Sequence, residues 1–437
     1  MTVSRARLLA YALPALPLAV LTLPLYIVVP TYYATALGVP LAAVGQVLLA
    51  VRVLDALSDP VVGLLADRTR PRFGRRRTWF LAAAPATALA VWLVFVPPAG
   101  AGAWWLFVFG TLLSLASTAS LVPYWAWGAE LSTDYAGRNR VAAARETAVV
   151  IGTLVATAAP AAAEAAGGDA GTALVVLAIL VAVALPATAL VAVLALPEPR
   201  EHSRRRLDLR SGLVALGRNG PFLRLLAAYV LNGFANGLPA TLFLFFVGTV
   251  LEAPERAGLV LFAYFLAGVA AVPVALAAAA RFGKHRTWCA AMLFNAAVFA
   301  TVPLLGPGDV WIFLAISVAT GLALGADLVL PASIQADVID LDTAETGEQR
   351  TGTYVAAWGL GTKIALALGV GIAFPVLDLA GFRTDGGPQT DLGLTTLALL
   401  YSTVPVLAKL GAVALMWRFP VDAAAVARLR DAIERSA

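Results

Sequence analysis

The chain has 437 residues, 60% of them hydrophobic and only 13% charged, with a mean hydropathy of +0.85. Soluble domains carry about 25% charged residues, so composition excludes a soluble enzyme or binding module. The net charge of +5 arises from 31 Lys and Arg against 26 Asp and Glu. These positives gather in alternate loops, a topology signal rather than a nucleic-acid footprint, so no nucleic-acid partner is expected.

Apolar runs near or above the ~20 residues of a spanning helix recur along the whole chain. In order they predict twelve helices, at about 8–36, 40–66, 78–98, 102–131, 140–166, 170–197, 221–250, 256–280, 286–305, 309–339, 352–380 and 392–418. The first is too long for a signal-peptide core and no small-residue cleavage pattern follows, so it counts as a span. It carries Pro14, Pro17, Pro24 and Pro30 among apolar residues, which predicts kinks.

Arginines crowd the loops at Arg5 and Arg7, Asp67–Arg77, Arg138 and Arg140, Arg200–Arg218, Arg281–Arg286 and Arg350, and the tail from Arg418. The alternate loops at 37–39, 99–101, 167–169 and 306–308 carry none. Positive-inside then places both termini in the cytoplasm, in agreement with an even helix number, which keeps them on one side. Only Lys284, Lys363 and Lys409 are lysines, which together with the abundant alanine points to a GC-rich bacterial source. The expected location is a bacterial inner (plasma) membrane, multi-pass, and the expected state a monomer.

Catalysis has little material. One cysteine, Cys289, forbids an intrachain disulfide, and the two histidines, His202 and His285, lie in charged loops. No catalytic or metal-ligating constellation is expected. No G-x-x-x-x-G-K-[ST] motif occurs, which argues against a primary pump.

The second helix, by contrast, carries charge where lipid would not tolerate it. Arg52, Asp55 and Asp59 stand three and four residues apart on one helical face, and each costs roughly 2.5–3.5 kcal/mol at the bilayer centre. They therefore face an interior. Two carboxylates offer hard oxygens to a monovalent cation, and their repulsion in a low dielectric also suits a proton. The bland alternative is a structural ion cluster with Arg52 and Lys363. Arg52 balances an aspartate or binds an anion; Lys363, inside the eleventh helix, competes with the cation or snorkels to the interface.

Other polar groups inside spans are Asp327 on the tenth helix, a substrate or proton candidate, and Asn232 and Asn236, four apart on the seventh. The asparagines hydrogen-bond substrate or glue helices together. Tyr124 and Trp125 line a cavity or pack. Lys409 has no strong reading.

An octapeptide repeats: R-F-G-R-R-R-T-W at Arg72–Trp79 and R-F-G-K-H-R-T-W at Arg281–Trp288, each between the second and third helix of a half. The arginine-rich stretch 199–220 separates these halves. The expected domains are a six-helix bundle at 1–198, a cytoplasmic linker at 199–220, a second bundle at 221–419 and a tail at 420–437. Two six-helix halves related by an axis along the membrane normal make an all-α major facilitator fold.

Four segments together resemble the glycoside–pentoside–hexuronide:cation symporter family of that superfamily. They are R-V-L-D-A-L-S-D-P-V-V-G from Arg52 with D-R-T-R-P-R-F-G-R-R-R-T-W from Asp67, V-P-Y-W-A-W-G-A-E-L-S-T-D-Y-A-G-R from Val122, Q-A-D-V-I-D-L-D-T-A-E-T-G-E-Q-R-T-G from Gln335, and the surroundings of Lys363. The resemblance implies alternating access and symport of a small organic solute, glycoside-like by family, with Na⁺ or H⁺ and no other cofactor. It assigns Asp55, Asp59 and Thr118 to the cation site, with Ser58 where the family's best-known sugar transporter has asparagine. Trp125 and Arg145 match sugar-site residues, and Lys363 a lysine close to the cation. Asp67, Arg68, Arg75 and Arg76 resemble the superfamily's conformational latch, pairing with Glu130 and Asp134.

One departure matters. The family's sugar-binding acids on the first and fourth helices are missing, because no Asp or Glu occurs from Met1 to Leu54 or from Arg68 to Ala129. That leaves open a lysolipid or other amphipathic solute, which relatives of the family move, and also a proton-coupled exporter.

Overall fold

The computed structural model describes residues 4–69, 73–131, 135–198, 216–346 and 351–421. All regular structure among them is helical. Twelve helices are long and apolar enough to cross a membrane. We label them α1 (Arg5–Thr35), α2 (Leu41–Arg68), α3 (Arg75–Phe95), α4 (Ala103–Glu130), α5 (Tyr135–Ala165), α6 (Ala170–Ala195), α7 (Gly220–Val250), α8 (Ala257–Phe282), α9 (Lys284–Phe299), α10 (Val310–Thr346), α11 (Thr351–Leu379) and α12 (Asp391–Met416).

The prolines of α1 act as the sequence suggests, and more strongly. It is three segments, Arg5–Ala12, Ala15–Val20 and Thr22–Thr35. Pro24 lacks the N–H that would bond back to residue 20, and a break falls at Leu21; Pro30 stays inside the third segment. α5 begins earlier than expected, at Tyr135, and α10 runs later, to Thr346, through a polar stretch that contains no glycine or proline.

By mutual contact the chain groups into two compact units. One comprises Met1–Ser203 with Pro254–Phe262 and Val370–Gly393; the other comprises Arg204–Ala253, Ala263–Gly369 and Leu394–Ala437.

In the first unit α1 is fastened by its tyrosines. Tyr33 donates to the Val94 carbonyl (3.1 Å), and Tyr124 on α4 donates to the Tyr11 carbonyl (2.6 Å). The Tyr124 ring stacks on Tyr11 at 4.7 Å and on Phe80 of α3 at 5.3 Å. Asp169 starts α6 with a capping box, its carboxylate accepting from the Thr172 N–H at 2.8 Å.

In the second unit α8 and α10 approach through small residues. A Cβ on Gly325 would lie 2.8 Å from that of Ala271, and Gly268 faces Leu324. Such close approach is how apolar helices gain dispersion contact where the hydrophobic effect between them is absent. α7 and α12 each contain a π-helical turn, Phe246–Val250 and Leu399–Thr403, and Phe246 stacks on Tyr401 at 4.3 Å across them.

The octapeptide repeat is visible in the backbone. Gly74 and Gly283 precede α3 and α9 with φ of 98° and 89°, a region that disfavours side-chain-bearing residues. His285 differs from expectation. It lies not in a loop but in the first turn of α9, buried near Phe419 (ring centroids 6.3 Å), because the helix starts directly after Gly283.

Candidate functional site

α2 places Arg52, Asp55 and Asp59 on one face, and α4 brings Thr118 against them. The Thr118 hydroxyl stands 3.2 Å from Asp55 Oδ1 and 2.9 Å from Asp59 Oδ1. Asp55 is only 4% exposed and Thr118 5%. A threonine hydroxyl has one proton and so can donate to one carboxylate oxygen at a time. The other oxygen meets the hydroxyl's lone pairs unless a proton or a metal ion lies between them. Three hard oxygens converging in this way suit a small monovalent cation or a proton shared by the aspartates.

Arg52 Nη1 donates to Asp55 Oδ2 at 3.4 Å, and its guanidinium covers the Tyr26 ring of α1 at 4.3 Å. The arginine is thus held between a carboxylate and an aromatic face. Nothing in the sequence marks Tyr26, since an aromatic in an apolar helix carries no local signal of its partner. Ser58 donates to the Asp55 main-chain carbonyl at 2.9 Å, which commits its proton to its own helix.

Arg145 and Trp125 are brought together, with the guanidinium 6.0 Å from the indole, while Arg145 also pairs with Glu146 Oε1 at 2.5 Å. Trp125 is half exposed. Tyr124, in contrast, is buried, its hydroxyl bonded to Tyr11 and its ring stacked on both sides, so its contacts here are packing contacts.

The remaining polar candidates form a second cluster, in the other unit. Asp327 of α10 accepts from the Trp288 indole (2.6 Å) and from Asn236 Nδ2 (3.1 Å). Lys409 of α12 donates to Asn232 Oδ1 and Asn236 Oδ1, both at 2.8 Å, and lies 3.7 Å from Asp327 Oδ2. Lys409 and Trp288 are the members that sequence reasoning left without a role. Lys363 lies half-buried on α11 in the same unit.

Of the latch candidates, the side chains of Asp67, Arg68 and Glu130, and the whole of Asp134, lie outside the described residues. Arg75 and Arg76 open α3, where Glu198 accepts from the Arg76 N–H (2.8 Å) and the Arg77 N–H (3.3 Å). Glu198 was not expected from the sequence. Its carboxylate caps a helix N-terminus from which the first-turn N–H groups point outward.

The profile of the family described as MFS/sugar transport protein matches residues 10–423. The sodium-dependent lysophosphatidylcholine symporter 1 of Homo sapiens is 26% identical over 410 residues, spanning 85% of this chain and 75% of that one. A symporter of Synechocystis sp. is 24% identical over 492 aligned positions, spanning 91% and 90%. In fold, the nucleoside transporter NupG matches with a TM-score of 0.65 at 14% identity, covering 94% of this chain and 99% of that one. With twelve apolar helices and a family match over nearly its whole length, the chain belongs to the MFS/sugar transport proteins and is a multi-pass membrane transporter, not an enzyme.

Proposed function

We propose that the chain is a secondary active symporter in which Asp55, Asp59 and Thr118 hold the coupling ion, Na⁺ or H⁺. The observation that carries this reading is the single Thr118 hydroxyl set against two carboxylate oxygens on α2. An ion bound there neutralises charge that would otherwise oppose movement through a low-dielectric interior, so the loaded and empty carriers differ in the ease of their conformational change. Arg52 acts as counter-charge, and Lys363 competes with the ion in the empty carrier.

The solute is a small organic molecule. A glycoside fits the family's description, with Trp125 and Arg145 as contacts. A specific observation favours a second, amphipathic class. α1, and α4 as far as Ala129, contribute the buried stack Tyr11–Tyr124 and no carboxylate of their own to take sugar hydroxyls. The human relative's name, a lysophosphatidylcholine symporter, is in keeping with that chemistry. Both termini face the cytoplasm of a bacterial inner membrane in this reading, the halves at 1–198 and 221–419 rock as bundles, and the carrier works as a monomer. Asp67, Arg68, Arg75 and Arg76 with Glu130 and Asp134 serve as its cytoplasmic latch.

Uptake into proteoliposomes under an imposed Na⁺ or H⁺ gradient, with a panel of glycosides and lysolipids, tests the proposal. Accumulation of a panel solute that needs one of the gradients is the expected result. Equilibration that ignores both gradients contradicts it.

A further inference from the structure

The cluster around Lys409 is chemically a cation site that is already filled. An ammonium carries three N–H donors and no acceptor. Two of them meet amide oxygens at 2.8 Å, from Asn232 and Asn236, and the third side lies 3.7 Å from Asp327 Oδ2. The lysine side chain is 4% exposed, and the aspartate's 11%.

Asn236 fixes the polarity of the arrangement. It stands between a donor-only ammonium and an acceptor-only carboxylate, so its oxygen faces Lys409 and its nitrogen faces Asp327 in the one orientation that satisfies both. The Trp288 indole, which can only donate, completes the carboxylate at 2.6 Å. Neutral groups therefore solvate each charge directly. The two charges stay close, yet the carboxylate does not depend on a direct ammonium hydrogen bond for its geometry. Asp327, the asparagines and the indole are held by α10, α7 and α9, whereas the cation alone comes from α12. Tyr229 of α7 and Tyr264 of α8 lie within electrostatic range of Asp327.

We infer that Asn232, Asn236 and Asp327 form an oxygen cage for a monovalent cation whose resident is the Lys409 ammonium, a tethered ion that keeps the second unit permanently charge-compensated. Two consequences follow. The second unit takes up no exchangeable coupling ion, and removal of the ammonium leaves a cage that accepts a free small cation, with ammonium-type ions preferred for their matching donors.

The test uses full-length protein purified in detergent and carrying Asp59→Asn, so that ion binding at the first unit's aspartates does not contribute. Thermal unfolding is followed for this parent and for Lys409→Ala in it, with methylammonium chloride or with choline chloride at equal ionic strength. A saturable rise of several degrees with methylammonium, absent with choline and absent in the parent, is the expected result, since a ligand bound only to the folded state stabilises it by mass action. The same response to both salts, or an equal response in the parent, overturns the inference. Should Lys409→Ala not fold alone, recovery of monodisperse protein only when methylammonium is present supports the cage. Failure to recover it in either salt overturns the cage, and folding of Lys409→Ala/Asp327→Asn would then show that the lysine serves only to neutralise.

Discussion

The Thr118 hydroxyl stands 2.9 Å from Asp59 Oδ1, across the α2–α4 interface. It also reaches Asp55 Oδ1 at 3.2 Å, so one proton on α4 governs how two carboxylates one helical turn apart share a ligand. Replacing Thr118 with valine keeps the shape and removes the oxygen. A hydrogen bond to a charged group is worth about 1.5–3 kcal/mol, so Thr118→Val should weaken apparent coupling-ion affinity by roughly tenfold or more. The ion dependence of solute uptake reads this directly.

Arg52 pulls the other way. Its guanidinium lies 3.4 Å from Asp55 Oδ2, and it repels an incoming cation. Arg52→Gln should raise apparent cation affinity by at most roughly a thousandfold, given that unit charges 4 Å apart interact by about 4 kcal/mol at an effective dielectric of 20. Tyr26→Leu, which removes the ring beneath the guanidinium, should shift affinity in the same direction by less. Titration of the ion in uptake assays checks both.

Close helix packing makes Gly325 sensitive. A Cβ there would lie 2.8 Å from Ala271 Cβ and 2.9 Å from Gly268 O, and backbone cannot yield as a flexible side chain does. Gly325→Val should cost about 1–3 kcal/mol or more through overpacking, seen as a lower midpoint in thermal unfolding.

The exposed end of α6 gives a pH prediction. Thr172, through its backbone N–H and then its hydroxyl, holds Asp169 below the usual carboxylate range. A folded pKa depressed in this way contributes stability above the unfolded pKa, and that contribution is lost as pH falls through the folded one. Asp169→Ala should therefore lower stability by about 1 kcal/mol at neutral pH. The difference from wild type should shrink in acid, as pH falls below the usual carboxylate range, in paired melts.

Much of the architecture is legible in the sequence because apolar runs of spanning length carry their own signal. The Asp55–Asp59 pair is legible for the same reason: the two are helix neighbours, and helical period alone stacks them. Contacts across long sequence separation are not. Tyr26 under Arg52, and Lys409 among Asn232, Asn236 and Asp327, depend on how separate helices pack, and no local pattern encodes that. Thr118 entered the site through family resemblance rather than through any property of its surroundings. The arginines beside His285 read as loop, whereas a glycine with positive φ lets α9 begin at once. The breaks in α1 show the converse, since proline chemistry is local and its effect is readable.

The central claim is that the coupling ion sits between Asp55, Asp59 and Thr118. Equilibrium binding of radioactive sodium to the purified protein, for wild type and for Asp59→Asn, competed by acid, tests it without needing to know the solute. Saturable binding by the wild type, displaced by unlabelled Na⁺ or by protons and lost in Asp59→Asn, is predicted. Binding of unchanged affinity in Asp59→Asn would contradict the account.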